Sequence, residues 1–215
     1  MKISTYTVGP FQENCYLVVD EAAARAVLVD PGDEGARLVR AVKQSGATLE
    51  AIWLTHAHLD HVGGIAAVKR EFDVPVYCHV DDEPLYRNAH VQAASYGVPF
   101  EQPDPADREV SEGDVLRVGS LAFTVMHAPG HAPGLCVFYG HGVLLAGDLL
   151  FAGSIGRTDL PLCDARAMQV SLGRIATLPP ETVVYPGHGP ATTIGEELSS
   201  NPFLTGVALP LRRDR

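Results

Sequence analysis

A cluster of potential metal ligands directly follows an apolar run that predicts a buried strand at residues 51–54. The ligands are His56, His58, Asp60 and His61, so four of them fall within six residues. On extended backbone, His56 and His58 project to the same side and can bind one ion, while Asp60 and His61 can reach a second. Imidazoles together with a carboxylate suit zinc, iron or manganese. Because thiolates are missing from this segment, it does not form a closed cysteine-rich structural site. The alternative is a polar loop in which the histidines occur by chance.

The pattern His-x-His-x-Asp-His resembles the signature of the metallo-β-lactamase superfamily. That family also has a later histidine, a bridging aspartate and a final histidine near the C-terminus. This sequence offers His131, Asp148 and His188 in that order. The resemblance covers almost the whole chain, and it is strongest to the short glyoxalase II-like (hydroxyacylglutathione hydrolase-like) hydrolases.

The resemblance implies a centre of two divalent metal ions, with zinc expected and iron or manganese as alternatives. The implied ligands are His56, His58 and His131 for one ion, Asp60, His61 and His188 for the other, and Asp148 as the bridge. Asp60 and Asp148 are the residues implied for catalysis. The implied reaction is hydrolysis of a thioester such as S-lactoylglutathione, with a metal-bridging hydroxide as the nucleophile.

The resemblance also implies an α/β fold: a four-layer αββα sandwich with two mixed β-sheets face to face and helices outside. The chain length of 215 residues fits one domain over residues 1–215. The alternation of strand and helix patterns up to Cys78 favours βαβ units, independently of the family. Residues 81–102 are expected to form short helices and loops beside the site, and residues 211–215 are expected to be mobile.

Charge and cysteine usage restrict the class of protein. The formal net charge is −10, which argues against a nucleic-acid-binding surface. No apolar run approaches the roughly 18 residues of a membrane span. The cysteines form no Cys-x-x-Cys pair and no secretory segment opens the chain, so we expect reduced thiols in a cytoplasmic protein. The expected partner is a small-molecule thioester or ester, with glutathione-derived compounds as candidates.

Two further residues have competing interpretations. Arg157 lies nine residues after Asp148, where glyoxalase II has a basic residue that contacts glutathione, so the resemblance implies substrate binding. The alternative is a structural salt bridge with Asp159. Asp30 ends an apolar strand before Pro-Gly and is either a turn residue or a support for the metal-binding loop.

The sequence departs from full-length glyoxalase II in two ways. The helical C-terminal domain of that family is missing, and Pro190 stands where a tyrosine is usual. Either glutathione binding is then weaker and different, or the substrate is another thioester or ester. A second hypothesis is a mononuclear iron persulfide dioxygenase, because that family has the same fold and a stretch similar to Gly-Arg-Thr-Asp at residues 156–159. The ligands that this resemblance implies are His56, His131 and Asp148. A third is a non-catalytic module that uses metals only for folding.

Overall fold

Two six-stranded sheets form the framework of the computed structural model, which describes residues 1–210. The expectation for residues 211–215 lies outside this range. The first sheet contains, in order, β1 (Lys2–Val8), β2 (Glu13–Asp20), β3 (Arg25–Val29), β4 (Thr48–Trp53), β5 (Val76–His79) and β6 (Arg108–Val110). Strands β1 to β3 pair antiparallel, and β3 to β6 pair parallel, so the sheet is mixed.

The second half of the chain builds the other sheet and a small hairpin. Its strands are β7 (Val115–Val118), β8 (Leu121–His127), β9 (Cys136–Gly140), β10 (Val143–Gly147), β11 (Leu150–Phe151), β12 (Ser154–Ile155), β13 (Val183–Pro186) and β14 (Thr192–Thr193). The sheet order is β14-β13-β10-β9-β8-β7, with β10 and β13 parallel, while β11 and β12 pair separately.

The helices complete the fold. They are α1 (Gly35–Ser45), α2 (Leu59–Val62), α3 (Ile65–Glu71), α4 (Glu83–Arg87), α5 (Ala89–Tyr96), α6 (Ala165–Ile175) and α7 (Ile194–Ser200). Helix α6 begins where the sequence predicts, because the Asp164 carboxylate accepts hydrogen bonds from the backbone N–H groups of Arg166 and Ala167. Helix α7 begins with a capping box between Thr193 and Glu196.

The core lies between the two sheets and beneath the helices. Trp53 of β4 is 1% exposed and packs against Phe123 of β8 and Phe138 of β9, with ring centroids 5.7 and 5.5 Å away. Leu38 of α1 and Met168 of α6 bury their side chains in a second cluster on the outer faces of the sheets. The predicted αββα sandwich is therefore confirmed.

The expectation of short helices in residues 81–102 is confirmed by α4 and α5. The sequence did not predict β6, the β11–β12 hairpin or β14, because strands of two or three residues are too short to show alternation. Within residues 1–210, no helix combines the length and apolar character needed to cross a bilayer.

Candidate metal centre

The loops that carry the predicted ligands meet at one edge of the sandwich. The segment His56–His61 follows β4, His131 follows β8, Asp148 follows β10, and His188 follows β13. Both sheets thus deliver side chains from the carboxyl ends of their strands. The predicted residues come together although as many as 132 positions separate them along the chain, from His56 to His188.

Three imidazoles form one half of the cluster. The Nδ1 atom of His58 lies 2.8 Å from Nε2 of His131, and the His56 ring centroid is 4.9 Å from each of the other two. All three side chains are buried. Their nitrogen atoms lie within 4.8 Å of one another, which is close enough to surround a single ion.

The other half contains Asp60, His61 and His188, with Asp148 between the halves. Asp60 Oδ2 lies 3.4 Å from His188 Nε2. The Asp148 Oδ1 atom is 3.5 Å from His61 Nε2, and its Oδ2 atom is 3.3 Å from His131 Nε2 and 3.6 Å from His188 Nε2. Asp148 therefore contacts both groups of imidazoles.

Three buried atoms of this cluster have no hydrogen-bond partner: His56 Nε2, His61 Nε2 and Asp148 Oδ1. Buried polar atoms are almost always paired, because an unpaired one costs about 1–3 kcal/mol. Here the unpaired atoms are imidazole nitrogens and a carboxylate oxygen that face the same space. The residues present therefore fit divalent metal ions.

The outer nitrogens of three imidazoles are already paired. The Nδ1 atoms of His56, His61 and His131 lie 3.1 Å from Thr55 Oγ1, 3.0 Å from Asp30 Oδ2 and 2.8 Å from the Arg157 carbonyl oxygen. Donation from Nδ1 leaves the Nε2 lone pair facing the cluster, the arrangement that metal-binding histidines require.

Asp30 supports the histidine loop from behind. Its Oδ1 atom accepts a hydrogen bond from the Thr55 backbone N–H at 2.7 Å, and its Oδ2 atom accepts one from the Thr55 hydroxyl at 2.5 Å. Asp30 has φ +50°, an uncommon conformation outside glycine. Gly147 lies against the same threonine, and a Cβ there would approach Thr55 Oγ1 to 2.3 Å. The interpretation of Asp30 as a support is confirmed over that of a simple turn residue.

Asp82 is a second support, which the sequence analysis missed. It is fully buried after β5, and it accepts hydrogen bonds from the N–H groups of Ala57 at 2.9 Å and Gly134 at 2.5 Å. Ala57 lies between two of the predicted ligand histidines, and Gly134 follows the His131 loop. Burial raises the Asp82 pKa to about 6. Asp82 belongs to an ordinary acidic run in the sequence, so only the fold distinguishes it.

The first sheet also holds the last ligand loop. The side-chain amide of Asn14 donates to the carbonyl oxygens of Pro186 and Gly189, at 3.2 and 2.8 Å, and the Tyr16 hydroxyl donates to Pro186 at 2.5 Å. These contacts join β2 to the loop of His188. The position of that histidine therefore depends on both sheets.

The charges of the cluster are unequal. Burial and the neighbouring His131 lower the pKa of His58 to about 3, and burial lowers that of His56 well below its usual value. Burial also acts to lower the pKa of His61, but Asp148 and Asp30 raise it well above 6.5. Although burial opposes ionisation of Asp148, nearby His61 and His131 lower its pKa. At neutral pH, His56 and His58 are therefore neutral imidazoles, the form that binds metal.

A cavity of about 520 Å³ opens over the cluster. Its walls include the apolar side chains Phe11, Leu59, Leu85, Phe151 and Leu160. Arg157 also lines it, and its Nε and Nη2 atoms pair with the two carboxylate oxygens of Asp159, both at 2.9 Å. Arg157 therefore lies beside the cavity as the substrate-binding prediction requires, and it also forms the alternative salt bridge.

The remaining histidines lie outside the cluster. His127 lies 2.8 Å from the Pro133 carbonyl oxygen through Nε2, and its ring stacks on His79 at 4.2 Å. His90 contacts Gln102, and the His141 ring accepts a hydrogen bond from the Ala122 N–H.

The sequence model of the metallo-beta-lactamase superfamily matches residues 8–188 of this chain. A protein of Haemophilus influenzae named hydroxyacylglutathione hydrolase GloC is 37% identical over 95% of this chain and 98% of its own length. A Bacillus subtilis protein named probable metallo-hydrolase YqgX is 35% identical over 97% of this chain and 100% of its own length.

Solved structures show the same similarity. The structure of TTHA1623 in a di-iron-bound form is 46% identical in sequence and has a TM-score of 0.87. The match covers 94% of this chain and all of the TTHA1623 chain. BLEG-1, described as a B3 metallo-beta-lactamase, is 38% identical with a TM-score of 0.89 over 95% of this chain and all of its own. ETHE1 from Myxococcus xanthus is 30% identical with a TM-score of 0.80 over 96% of this chain and 85% of its own.

Proposed function

We propose that this chain cleaves thioesters such as S-lactoylglutathione. The premise is that it belongs to the metallo-β-lactamase superfamily and is a metal-dependent hydrolase of that fold. The observation that carries the proposal is the convergence of seven predicted ligand side chains in one cluster, with three buried atoms left unpaired. Five of the seven line the cavity above it: His58, Asp60, His131, Asp148 and His188. The similarity to a protein named hydroxyacylglutathione hydrolase supports the choice of thioester.

The proposed centre holds two divalent ions, with zinc as the first candidate and iron supported by the di-iron form of one relative. The proposed ligands are His56, His58 and His131 for one ion, Asp60, His61 and His188 for the other, and Asp148 between them. When bound, such ions supply Lewis acidity and a water molecule whose pKa is lowered to about 7.

The chain's own residues would then orient and hold the substrate. Asp60 and Asp148 would help to hold the ions, and a carboxylate oxygen not used for this could accept a hydrogen bond from the attacking water and orient it. Phe151 and Leu160 exclude solvent from one side of the cavity. Arg157 is the proposed contact for a substrate carboxylate, through its guanidinium group.

The second candidate function is a persulfide dioxygenase with a single iron at His56, His131 and Asp148. The similarity to ETHE1 and the stretch Gly156–Asp159 favour it. The complete second set of proposed ligands, Asp60, His61 and His188, favours the hydrolase, because a mononuclear enzyme has no use for a second metal site. A non-catalytic module is disfavoured by the open cavity over the cluster.

We also propose that the protein acts in the cytoplasm on a small molecule, without nucleic acid or membrane as a partner. Cys15, Cys78 and Cys136 are buried and form no disulfide, which is typical of a reducing compartment.

Replacement of the bridging residue tests the proposal. Asp148→Ala should lower bound metal from about two ions per chain to one or fewer, because two cations facing each other lose the carboxylate between them. Hydrolysis of S-lactoylglutathione should fall with it, by roughly 10³-fold or more. Glu181→Ala, an exposed site at the far end of β13 from His188, is the matched control and should retain both.

Three assays on the wild-type protein separate the candidates: S-lactoylglutathione hydrolysis, oxygen uptake with glutathione persulfide, and hydrolysis of a β-lactam. A fully metallated and fully active Asp148→Ala variant would refute the role of Asp148. Oxygen uptake without thioester hydrolysis would replace the hydrolase with the dioxygenase.

A further inference from the structure

The charged groups around the cavity determine which thioesters it can hold. Among residues 1–210, Arg157 is the one lysine or arginine that lines the cavity over the metal centre. A second cavity of about 350 Å³ adjoins it, sharing Phe11, Leu59 and Asp60. The charged side chains that line this second cavity are all acidic: Asp33, Glu101 and the shared Asp60. Apart from the proposed metal ions, Arg157 is therefore the one lysine or arginine side chain of the described residues that this cavity offers to a negatively charged part of a substrate.

Arg157 is already paired. Asp159 uses one full edge of the guanidinium, through Nε and Nη2, in the two-bond geometry that gives the strongest arginine–carboxylate pairs. The hydrogen bond to Arg157 lowers the Asp159 pKa, so the carboxylate is ionised at neutral pH. The pair carries no net charge. Three N–H groups of the guanidinium remain available as donors. A substrate carboxylate that accepts hydrogen bonds from them would lie near Asp159, and its negative charge would repel the substrate.

The rest of the cavity surface is suited to uncharged groups. Phe11, Tyr96 and Phe151 surround the opening, and Phe11 and Tyr96 pack edge to face with centroids 5.3 Å apart. The Tyr96 side chain remains 54% exposed there, so its ring is available to a ligand. The adjoining cavity adds Val8, Val98 and Phe100. Burial of apolar groups on this surface is favourable at about 25 cal/mol per Å².

We infer that the site prefers thioesters whose acyl and thiol arms are uncharged and apolar, and that Asp159 sets this preference by occupying Arg157. The inference rests on the proposed function. A glutathione thioester, with two carboxylates, is then accepted but bound less well than a thioester of similar size without them. Asp159 is a specificity-determining residue that acts through Arg157.

Binding of two thioether analogues to the metal-loaded protein, measured by titration calorimetry, tests the inference without turnover. The probes are S-benzylglutathione and its uncharged N-acetyl dimethyl ester, which have nearly the same size. The wild-type protein should bind the uncharged probe at least as tightly. Asp159→Asn should shift the ratio of dissociation constants about fivefold towards S-benzylglutathione, the size expected for a solvent-exposed charge pair.

Glu181→Gln makes the same charge change at the far end of β13 and should leave the ratio as in the wild type. Wild-type binding of S-benzylglutathione more than fivefold tighter than the uncharged probe would overturn the inference. So would an unchanged ratio in Asp159→Asn, or an equal shift in Glu181→Gln. Since Arg157 and Asp159 are both partly exposed, Asp159→Asn should fold, and its melting temperature checks this.

The corresponding thioesters separate this inference from the proposed function. Failure to hydrolyse either thioester, together with the expected binding ratios, would refute the hydrolase and leave the preference standing. Hydrolysis of both, with S-lactoylglutathione preferred and no effect of Asp159→Asn, would refute the preference and leave the hydrolase standing.

Discussion

At the scale of single residues, the ligand atoms are fixed by partners outside the cluster. His61 is an example, because Asp30 accepts its Nδ1–H and thereby directs Nε2 towards Asp148. The sequence predicts the ligands from their spacing and their resemblance to a known family. It predicts the supporting partners only in part. Asp30 can be recognised because it follows an apolar strand, whereas the sequence around Asp82 does not indicate its role.

Asp30→Asn tests this indirect control. The carboxylate accepts three hydrogen bonds, from the Thr55 N–H, the Thr55 hydroxyl and His61. An amide of the same size can accept at one atom only, so its NH₂ group would face a donor. We expect metal affinity to fall about 10–100-fold, the usual effect of losing such a partner. Competition with a chelator measures it, and unchanged affinity would show that Asp30 supports only the backbone.

At the scale of elements, the β11–β12 hairpin depends on the C-terminal helix α7. The buried Glu197 carboxylate accepts hydrogen bonds from the Gly153 N–H, the Asn201 side-chain amide and the Thr192 hydroxyl. The Asn201 amide also donates to the Ser154 carbonyl oxygen at 3.0 Å. The hairpin carries Phe151 into the cavity. This contact joins segments more than 40 positions apart, so no sequence period predicts it.

Glu197→Ala should destabilise the protein by about 1–3 kcal/mol for each buried donor left unpaired, and it should raise KM more than it lowers kcat. Glu197→Gln is the matched control, because its carbonyl can accept from Gly153 and Asn201 while its NH₂ donates to Thr192. Chemical denaturation and steady-state kinetics measure the two effects. If the alanine variant had wild-type stability and KM, the hairpin would not depend on α7.

At the scale of the whole molecule, packing between the sheets aligns the two sets of ligands. The longer strands are predictable from sequence, as β1, β7 and β8 show, because their apolar patterns extend over at least four residues. The αββα arrangement followed from resemblance, since periodicity alone does not determine which sheets pack together. The contacts of Trp53 with Phe123 and Phe138 then join the two sheets three residues before His56.

Trp53→Ala should lower the free energy of unfolding by about 3–5 kcal/mol, the usual cost of deleting a large buried aromatic side chain. Because the sheets carry different ligands, metal affinity should fall as well. Trp53→Phe retains most of the packing and should lose less of both. Urea denaturation followed by circular dichroism gives the stability, and a loss below about 1 kcal/mol for Trp53→Ala would contradict this role of Trp53.

The proposed hydrolysis depends on a centre that needs two ions. The most direct measurement is a titration of zinc into the metal-free protein, with S-lactoylglutathione hydrolysis assayed at each addition. We predict that activity rises to a plateau only at about two ions per chain, because both ligand groups and Asp148 act together. Full activity at one ion, or one tightly bound iron with oxygen uptake and no hydrolysis, would contradict it.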